Sequence, residues 1–142
     1  MNRKNDIIKI INSISGNYSP YEVFTDWVRC CALAISNTIT LSHNAVWEKR
    51  EQEYIETMKR YEPKERGLMV QMFALLTETL ECEMTDVLGQ IYMESGMGSR
   101  AAGQFFTPYH LSEVCAMLAL PEPDERGIIR MNEPSCGGGG MI

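Results

Sequence analysis

The sequence predicts a mainly α-helical chain that closes with the first strand and glycine turn of an open α/β sheet. Two observations carry this. Through most of the first 120 residues apolar side chains recur at spacings of three and four, the period of a helix that buries one face. The run Ile128-Ile129-Arg130-Met131 then feeds Asn132-Glu133-Pro134-Ser135-Cys136 and four consecutive glycines, Gly137 to Gly140, the pattern of a buried strand that turns sharply at its end. Such turns sit where open α/β sheets bind nucleotides, because glycine tolerates positive φ and lets backbone lie directly against a ligand. Glu133, at the strand end, is placed to accept hydrogen bonds from polar groups of that ligand. The expected organisation is a helical domain over residues 1–99, followed by the start of a second domain over residues 100–142.

The elements follow in order. Residues 6–14 place Ile7, Ile10, Ile11 and Ile14 on one side of a short helix that Ser15-Gly16-Asn17 ends. Ser19-Pro20-Tyr21-Glu22 is an N-terminal signature, with Ser19 as cap, Pro20 in the first turn and Glu22 closing a capping box. The helix that follows is expected to bury Tyr21, Phe24, Val28, Cys31 and Ile35, with Trp27 widening the stripe. Residues 37–44 read as a connection. Residues 46–61 form a charge-laced helix with Trp47, Tyr54, Met58 and Tyr61 inward. Pro63 marks a new start, and the dense apolar pattern of Leu68, Met69, Met72, Phe73, Leu76 and Leu80 marks the central helix. Thr85-Asp86 caps a short helix through Glu94 that packs Val87, Leu88 and Ile91 inward. After a glycine-rich loop at 95–99, Thr107 and Pro108 suit the cap and first position of a helix carrying Leu111, Val114, Cys115 and Leu118. Residues 121–127 are a turn-rich link to the strand at 128–132.

Composition narrows the function classes. At 142 residues and 44% hydrophobic content the chain can form one domain with a substantial core. A net charge of −6 argues against a strong grip on nucleic acid by this piece, since phosphate affinity comes from clustered Lys and Arg. Residues 67–97 hold Glu78, Glu81, Glu83, Asp86 and Glu94 with no Lys or Arg, an acidic face that reads as solvated or as a partner surface. The five cysteines, Cys30, Cys31, Cys82, Cys115 and Cys136, show no Cys-x-x-Cys spacing, and His43 and His110 are isolated. That is a cytoplasmic pattern of small buried hydrophobes, with no metal site expected. No run approaches membrane-spanning length, and the N-terminal Ile-rich run is broken by Lys9 and Asn12, unlike a secretory signal. No Lys or Ser/Thr follows the glycines as a P-loop requires, which argues against a nucleoside triphosphatase.

The informative constellation is a pair of motifs. Gln104-Phe105-Phe106-Thr107-Pro108 is followed about 25 residues later by Glu133-Pro134-Ser135-Cys136-Gly137-Gly138-Gly139-Gly140. Together they resemble motif X and motif I of the N6-adenine DNA methyltransferases, especially the modification subunits of type I restriction-modification systems. The likeness is specific over residues 88–142 and only general over the helical first eighty. It implies the start of a truncated Rossmann-like methyltransferase domain that binds S-adenosylmethionine. Gln104, Phe105, Phe106, Thr107 and Pro108, with Tyr109 adjacent, would line the methionine side of the cofactor. Glu133 would meet its ammonium group, and Ser135, Cys136, Gly137, Gly138 and Gly139 would form the turn that approaches it. Relatives often carry Ser or Thr where Gly138 stands, so this turn is looser than theirs.

The resemblance also implies a target adenine flipped out of the duplex, whose amino nitrogen attacks the sulfonium methyl. The Asn/Asp-Pro-Pro-Tyr/Phe motif that holds that nitrogen is absent from this sequence, as is the acidic residue that would hold the ribose hydroxyls. No residue here is therefore assigned a catalytic role. The expectation is the N-terminal part of a site-specific adenine methyltransferase, inactive alone, meeting DNA through the full-length protein and a specificity subunit or second copy as partner. Two rival readings remain: a helical protein-interaction module with a vestigial cofactor motif, and another S-adenosylmethionine or nucleotide enzyme that shares only the glycine turn.

Overall fold

The computed structural model describes residues 3–82, 85–97, 106–132 and 134. Helix accounts for 70% of these residues, and among them there are six helices and no strand, so the chain is mainly α. It divides into two compact units, Met1–Glu83 and Met84–Ile142.

The first unit is built from four helices, α1 (Arg3–Ile14), α2 (Pro20–Thr38), α3 (Ala45–Lys59) and α4 (Pro63–Cys82). α1 packs on α4 and α2, and α2 packs on α3. The core of the unit contains Ile7, Ile11, Ile14, Val23, Trp27, Cys30, Tyr61, Met69, Met72 and Leu76. α1 is held onto α4 at the surface by Arg3, whose Nε lies 2.9 Å from Glu78 Oε2. Of the acidic residues in the 67–97 run, Glu78 thus pairs with Arg3, and Asp86 caps a helix of the second unit.

α2 begins as the sequence predicts. The Ser19 side chain accepts from the Glu22 N–H while the Glu22 carboxylate accepts from the Ser19 N–H at 2.8 Å, a complete capping box with Pro20 in the first turn. Its buried stripe differs from the expected one. Val23, Trp27, Cys30 and Asn37 face inward, while Tyr21 and Ile35 are about half exposed. Apolar residues surround this helix on several sides, so two stripes compete; packing against α1 and α3 selects the one centred on Trp27. Residue 37, expected in a connection, thus lies in the last turn of α2 with a polar side chain on the buried face. Asn44 then caps α3 through its Oδ1, which accepts from Val46 and Trp47 N–H, both at 3.0 Å.

α3 has no fully buried residue of its own, and Tyr61, just past its end, supplies the anchor. The Tyr61 hydroxyl donates to Asp26 Oδ2 at 2.7 Å, and Arg60 Nη1 donates to the same oxygen at 2.7 Å. Tyr18 completes the cluster: its hydroxyl donates to the Arg60 carbonyl at 2.8 Å and its ring lies 5.0 Å from that of Tyr61. α4 starts at Pro63 and buries Met69, Met72 and Leu76, while Leu80 faces outward.

The second unit contains α5 (Val87–Glu94) and α6 (Tyr109–Ala119). Asp86 caps α5, accepting from the Gly89 N–H at 2.8 Å. Gly89 leaves room for this cap, because a Cβ would stand 2.0 Å from Asp86 Oδ2 and displace that side chain. Val87 and Ile91 are buried as the sequence predicts. The 121–127 link is a closed turn: Asp124 Oδ1 accepts from the N–H groups of Arg126 and Ile128 at 2.9 and 3.0 Å, and Gly127 adopts a φ of 74°. Residues 128–132, expected as a strand, carry no strand pairing, since no other strand exists among the described residues to complete a ladder.

Candidate functional site

The predicted cofactor site is described only in its motif X half. Phe106, Thr107, Pro108 and Tyr109 lie among the described residues; Gln104, Phe105, Glu133, Ser135, Cys136, Gly137, Gly138 and Gly139 lie outside them. Phe106 is partly buried, and its ring sits 5.3 Å from that of Tyr92 on α5, which fastens the segment within its unit. Thr107 and Pro108 are exposed and Tyr109 is half-buried.

The helix after the motif starts one residue later than expected. Pro108, not Thr107, is the cap, and no side chain caps α6. The Pro108 carbonyl accepts from Leu111 and Ser112 N–H at 2.9 and 3.1 Å. Thr107 therefore does not occupy the first-turn amides with its hydroxyl. Such amides, with the positive end of the helix dipole, suit an anionic group.

The remainder of α6 is unusual for so apolar a helix. Ser112 is its one fully buried residue, whereas Leu111, Val114, Met117 and Leu118 are all about half exposed or more, Leu118 reaching 84%. Ile128, Ile129 and Met131 are also exposed, at 40–49%.

Cys30 and Cys31 do not offer thiol chemistry. Burial, as the leading cause, pushes Cys30 up to about 11 and Cys31 up to about 12, so both are neutral thiols at neutral pH. Cys82 and Cys115 are exposed, contrary to the expected buried role, because each lies on an outward helix face. Cys136 lies outside the described residues. Among the described residues no group of three or more His, Cys, Asp or Glu could hold a metal ion, and no helix is long and apolar enough to cross a membrane.

Two concavities in the first unit were not legible in the sequence. One is an apolar cavity of ≈ 80 Å³ lined by Trp27, Cys30, Cys31, Tyr54, Met58 and Phe73 among others. Trp27 Nε1 is buried with no acceptor among the described residues. The other is an open groove of ≈ 490 Å³ between the end of α2 and the start of α3, lined by Asn37, His43, Trp47, Glu51 and Tyr54 among others. His43 stacks on Trp47, ring centroids 4.0 Å apart and 14° from parallel, so it is not the isolated residue its sequence position suggests. The one sequence signal for this groove is the phase of Asn37, a polar residue ten positions after Trp27 on the same helical stripe.

Comparison with family models, curated protein sequences and solved structures finds no match to this chain.

Proposed function

We propose that the chain is the N-terminal part of a site-specific adenine-N6 DNA methyltransferase of the restriction-modification type, contributing a helical domain and two walls of an S-adenosylmethionine site. The observation that carries the reading is the pairing of Gln104-Phe105-Phe106-Thr107-Pro108 with Glu133-Pro134-Ser135-Cys136 and four glycines, about 25 residues apart. The uncapped N-terminus of α6 directly after the first motif supports it, because the cofactor's carboxylate is an anion of the size that a helix start accepts. The exposed apolar face of α6 and the apolar run at 128–131 support it too. In this reading both belong to a Rossmann-like sheet whose later strands lie beyond these residues, and 128–132 becomes its first strand when paired.

In such an enzyme Phe106 and Pro108 wall the methionine moiety, Glu133 pairs with its ammonium group, and Ser135 to Gly139 bring backbone against it. The cofactor supplies the transferable methyl group. Catalytic residues come from the absent Asn/Asp-Pro-Pro-Tyr/Phe segment, and the grip on DNA comes from elsewhere, consistent with the net charge of −6. A specificity subunit or a second copy would complete the assembly.

The test is an NMR titration of the 142-residue chain with S-adenosylmethionine. A ligand touching two walls of its pocket keeps the cost of immobilisation while losing much of its contact, so a micromolar site weakens by about 4 kcal/mol to about millimolar. At millimolar cofactor the backbone amides of the non-proline residues in 104–109 and 133–139 should shift together. Shifts confined to other residues, or none, would contradict the assignment.

A further inference from the structure

The ≈ 80 Å³ cavity of the first unit sits where three helices converge. α2 contributes Trp27, Cys30 and Cys31, α3 contributes Tyr54 and Met58, and α4 contributes Met69. Burial, the leading cause in each case, holds the Cys30 and Cys31 thiols and the Tyr54 hydroxyl in their protonated forms, so no lining side chain is charged at neutral pH. Trp27 Nε1 has almost no accessible surface, so it offers an occupant no hydrogen bond. A charge in such surroundings is costly and a water needs two to four polar partners, so the lining favours an uncharged apolar molecule.

The walls also select the kind of apolar molecule. The sulfur atoms of Met58 and Met69 make favourable contacts with aromatic rings, and the rings of Trp27 and Tyr54 pair with another ring in offset or edge-to-face arrangements. The volume sets the size: it is roughly half of the ~150 Å³ of an apolar cavity that admits benzene, so one small ring is the upper limit. Room for that ring comes from the flexible, unbranched methionines and from α3, which packs closely on α2 but not on α4 and buries no residue of its own. Ala34 and Val70 line the cavity and are exposed, which gives an entry path from solvent.

We propose that this cavity binds a small uncharged aromatic molecule, one ring in size, that bridges α3 to α4. Recognition is by shape and dispersion, with no polar contact required of the occupant. A bound ring touches side chains of α2, α3 and α4 together, so it ties α3 to the rest of the unit. The inference rests on the first unit alone and is independent of the methyltransferase reading.

The experiment is an NMR titration of the whole chain at neutral pH, following the Trp27 indole N–H and the Met58 and Met69 methyl groups. Trp47 does not line this cavity, so its indole N–H is the internal reference. The probes are benzene, benzylamine, benzoate and Nα-acetyl-phenylalanine methylamide. Benzene should give saturable shifts at Trp27, Met58 and Met69 with Trp47 unmoved, and should slow amide hydrogen exchange in α3 severalfold. Benzylamine and benzoate carry the same ring with a charge and should bind at least about tenfold more weakly. Cys31→Leu fills the cavity and Val70→Phe obstructs its exposed side; each should weaken benzene at least about tenfold with an unchanged circular dichroism spectrum. Absence of saturation, charged rings that bind as tightly as benzene, or benzene affinity intact in both variants would overturn the proposal. Unchanged exchange in α3 would overturn the bridging of α3 to α4. Tighter binding of the phenylalanine derivative than of benzene would overturn the free-molecule assignment in favour of an aromatic side chain of a partner protein.

Discussion

Replacing Tyr61 with Phe removes a single oxygen from the cluster that anchors the end of α3. Tyr61 is 1% exposed, and its hydroxyl donates to Asp26 at 2.7 Å. A hydrogen bond to a charged acceptor contributes about 1.5–3 kcal/mol. Asp26 keeps Arg60 in the variant, so its carboxylate is not orphaned, and the loss at pH 7 should fall near the lower end, about 1.5 kcal/mol. The Arg60 pair does not add much to this, because the Arg60 side chain is 44% exposed and surface pairs contribute about 0–1 kcal/mol.

The same cluster makes the effect depend on pH. Burial, then the hydrogen bond to Asp26 and its charge, hold the Tyr61 hydroxyl far above the ordinary tyrosine value of 10.0. A raised folded-state value means that the folded chain keeps a proton that the unfolded chain releases, so this stability is complete below pH 10 and is lost as pH rises above it. At pH 11 the loss is RT ln(1 + 10), about 1.4 kcal/mol. Phe cannot titrate. The penalty of Tyr61→Phe should thus shrink from about 1.5 kcal/mol at pH 7 to almost nothing at pH 11. Tyr54, Cys30 and Cys31 are also shifted upward by burial, but they are present in both proteins and cancel in the difference. Urea unfolding of both proteins at the two pH values measures the gap. A gap that is the same at pH 7 and pH 11 would refute the account of Tyr61.

Other predictions concern the helix starts and the thiols. Ser19→Ala should lower stability by about 1 kcal/mol in urea unfolding, since it removes the cap of α2. Hydrogen bonds from the Ser19 backbone N–H, then its hydroxyl, hold Glu22 below its ordinary 4.5; the stability it adds is therefore present above pH 4.5 and lost as pH falls below it, and Glu22→Gln should flatten that acid limb. Gly89→Ala gains about 1 kcal/mol of helix propensity but displaces the Asp86 cap, so hydrogen exchange across α5 should change little. In an Asp86→Ala background the same substitution should slow that exchange severalfold. A maleimide should label exposed Cys82 and Cys115 in the native protein, and buried Cys30 only on unfolding.

What the sequence revealed was local, and what it hid depended on neighbours. The Ser19–Glu22 box, the start of α4 at Pro63 and the Asp86 cap of α5 are written in short-range chemistry, so each appears where the residues place it. The inward face of α2 is different. Both the Phe24–Val28–Cys31 stripe and the Val23–Trp27–Cys30 stripe are apolar, and only packing against α1 and α3 decides between them. The α2–α3 groove was hidden for the same reason, since Asn37 and Glu51 meet through space rather than along the chain. Thr107 is a good cap by residue type, yet helix α6 starts after Pro108, whose missing N–H and fixed φ suit either side of a helix boundary. Of the proposed cofactor site, the motif spacing was legible, while Gln104, Phe105, Glu133 and Ser135 to Gly139 lie outside the described residues.

The central claim is that this chain supplies cofactor-binding elements to a DNA adenine methyltransferase, and methyl transfer tests it most directly. If the claim holds, a protein that joins this chain to a segment with an Asn/Asp-Pro-Pro-Tyr/Phe motif should incorporate tritiated methyl from S-adenosylmethionine into unmethylated DNA at adenine N6. At subsaturating cofactor, Phe106→Ala and Glu133→Ala should each lower that rate by about tenfold or more, by removing a wall of the pocket and the partner of the cofactor's ammonium. The 142-residue chain alone should show none. Clear incorporation by the isolated chain, or full activity in both variants, would contradict the claim.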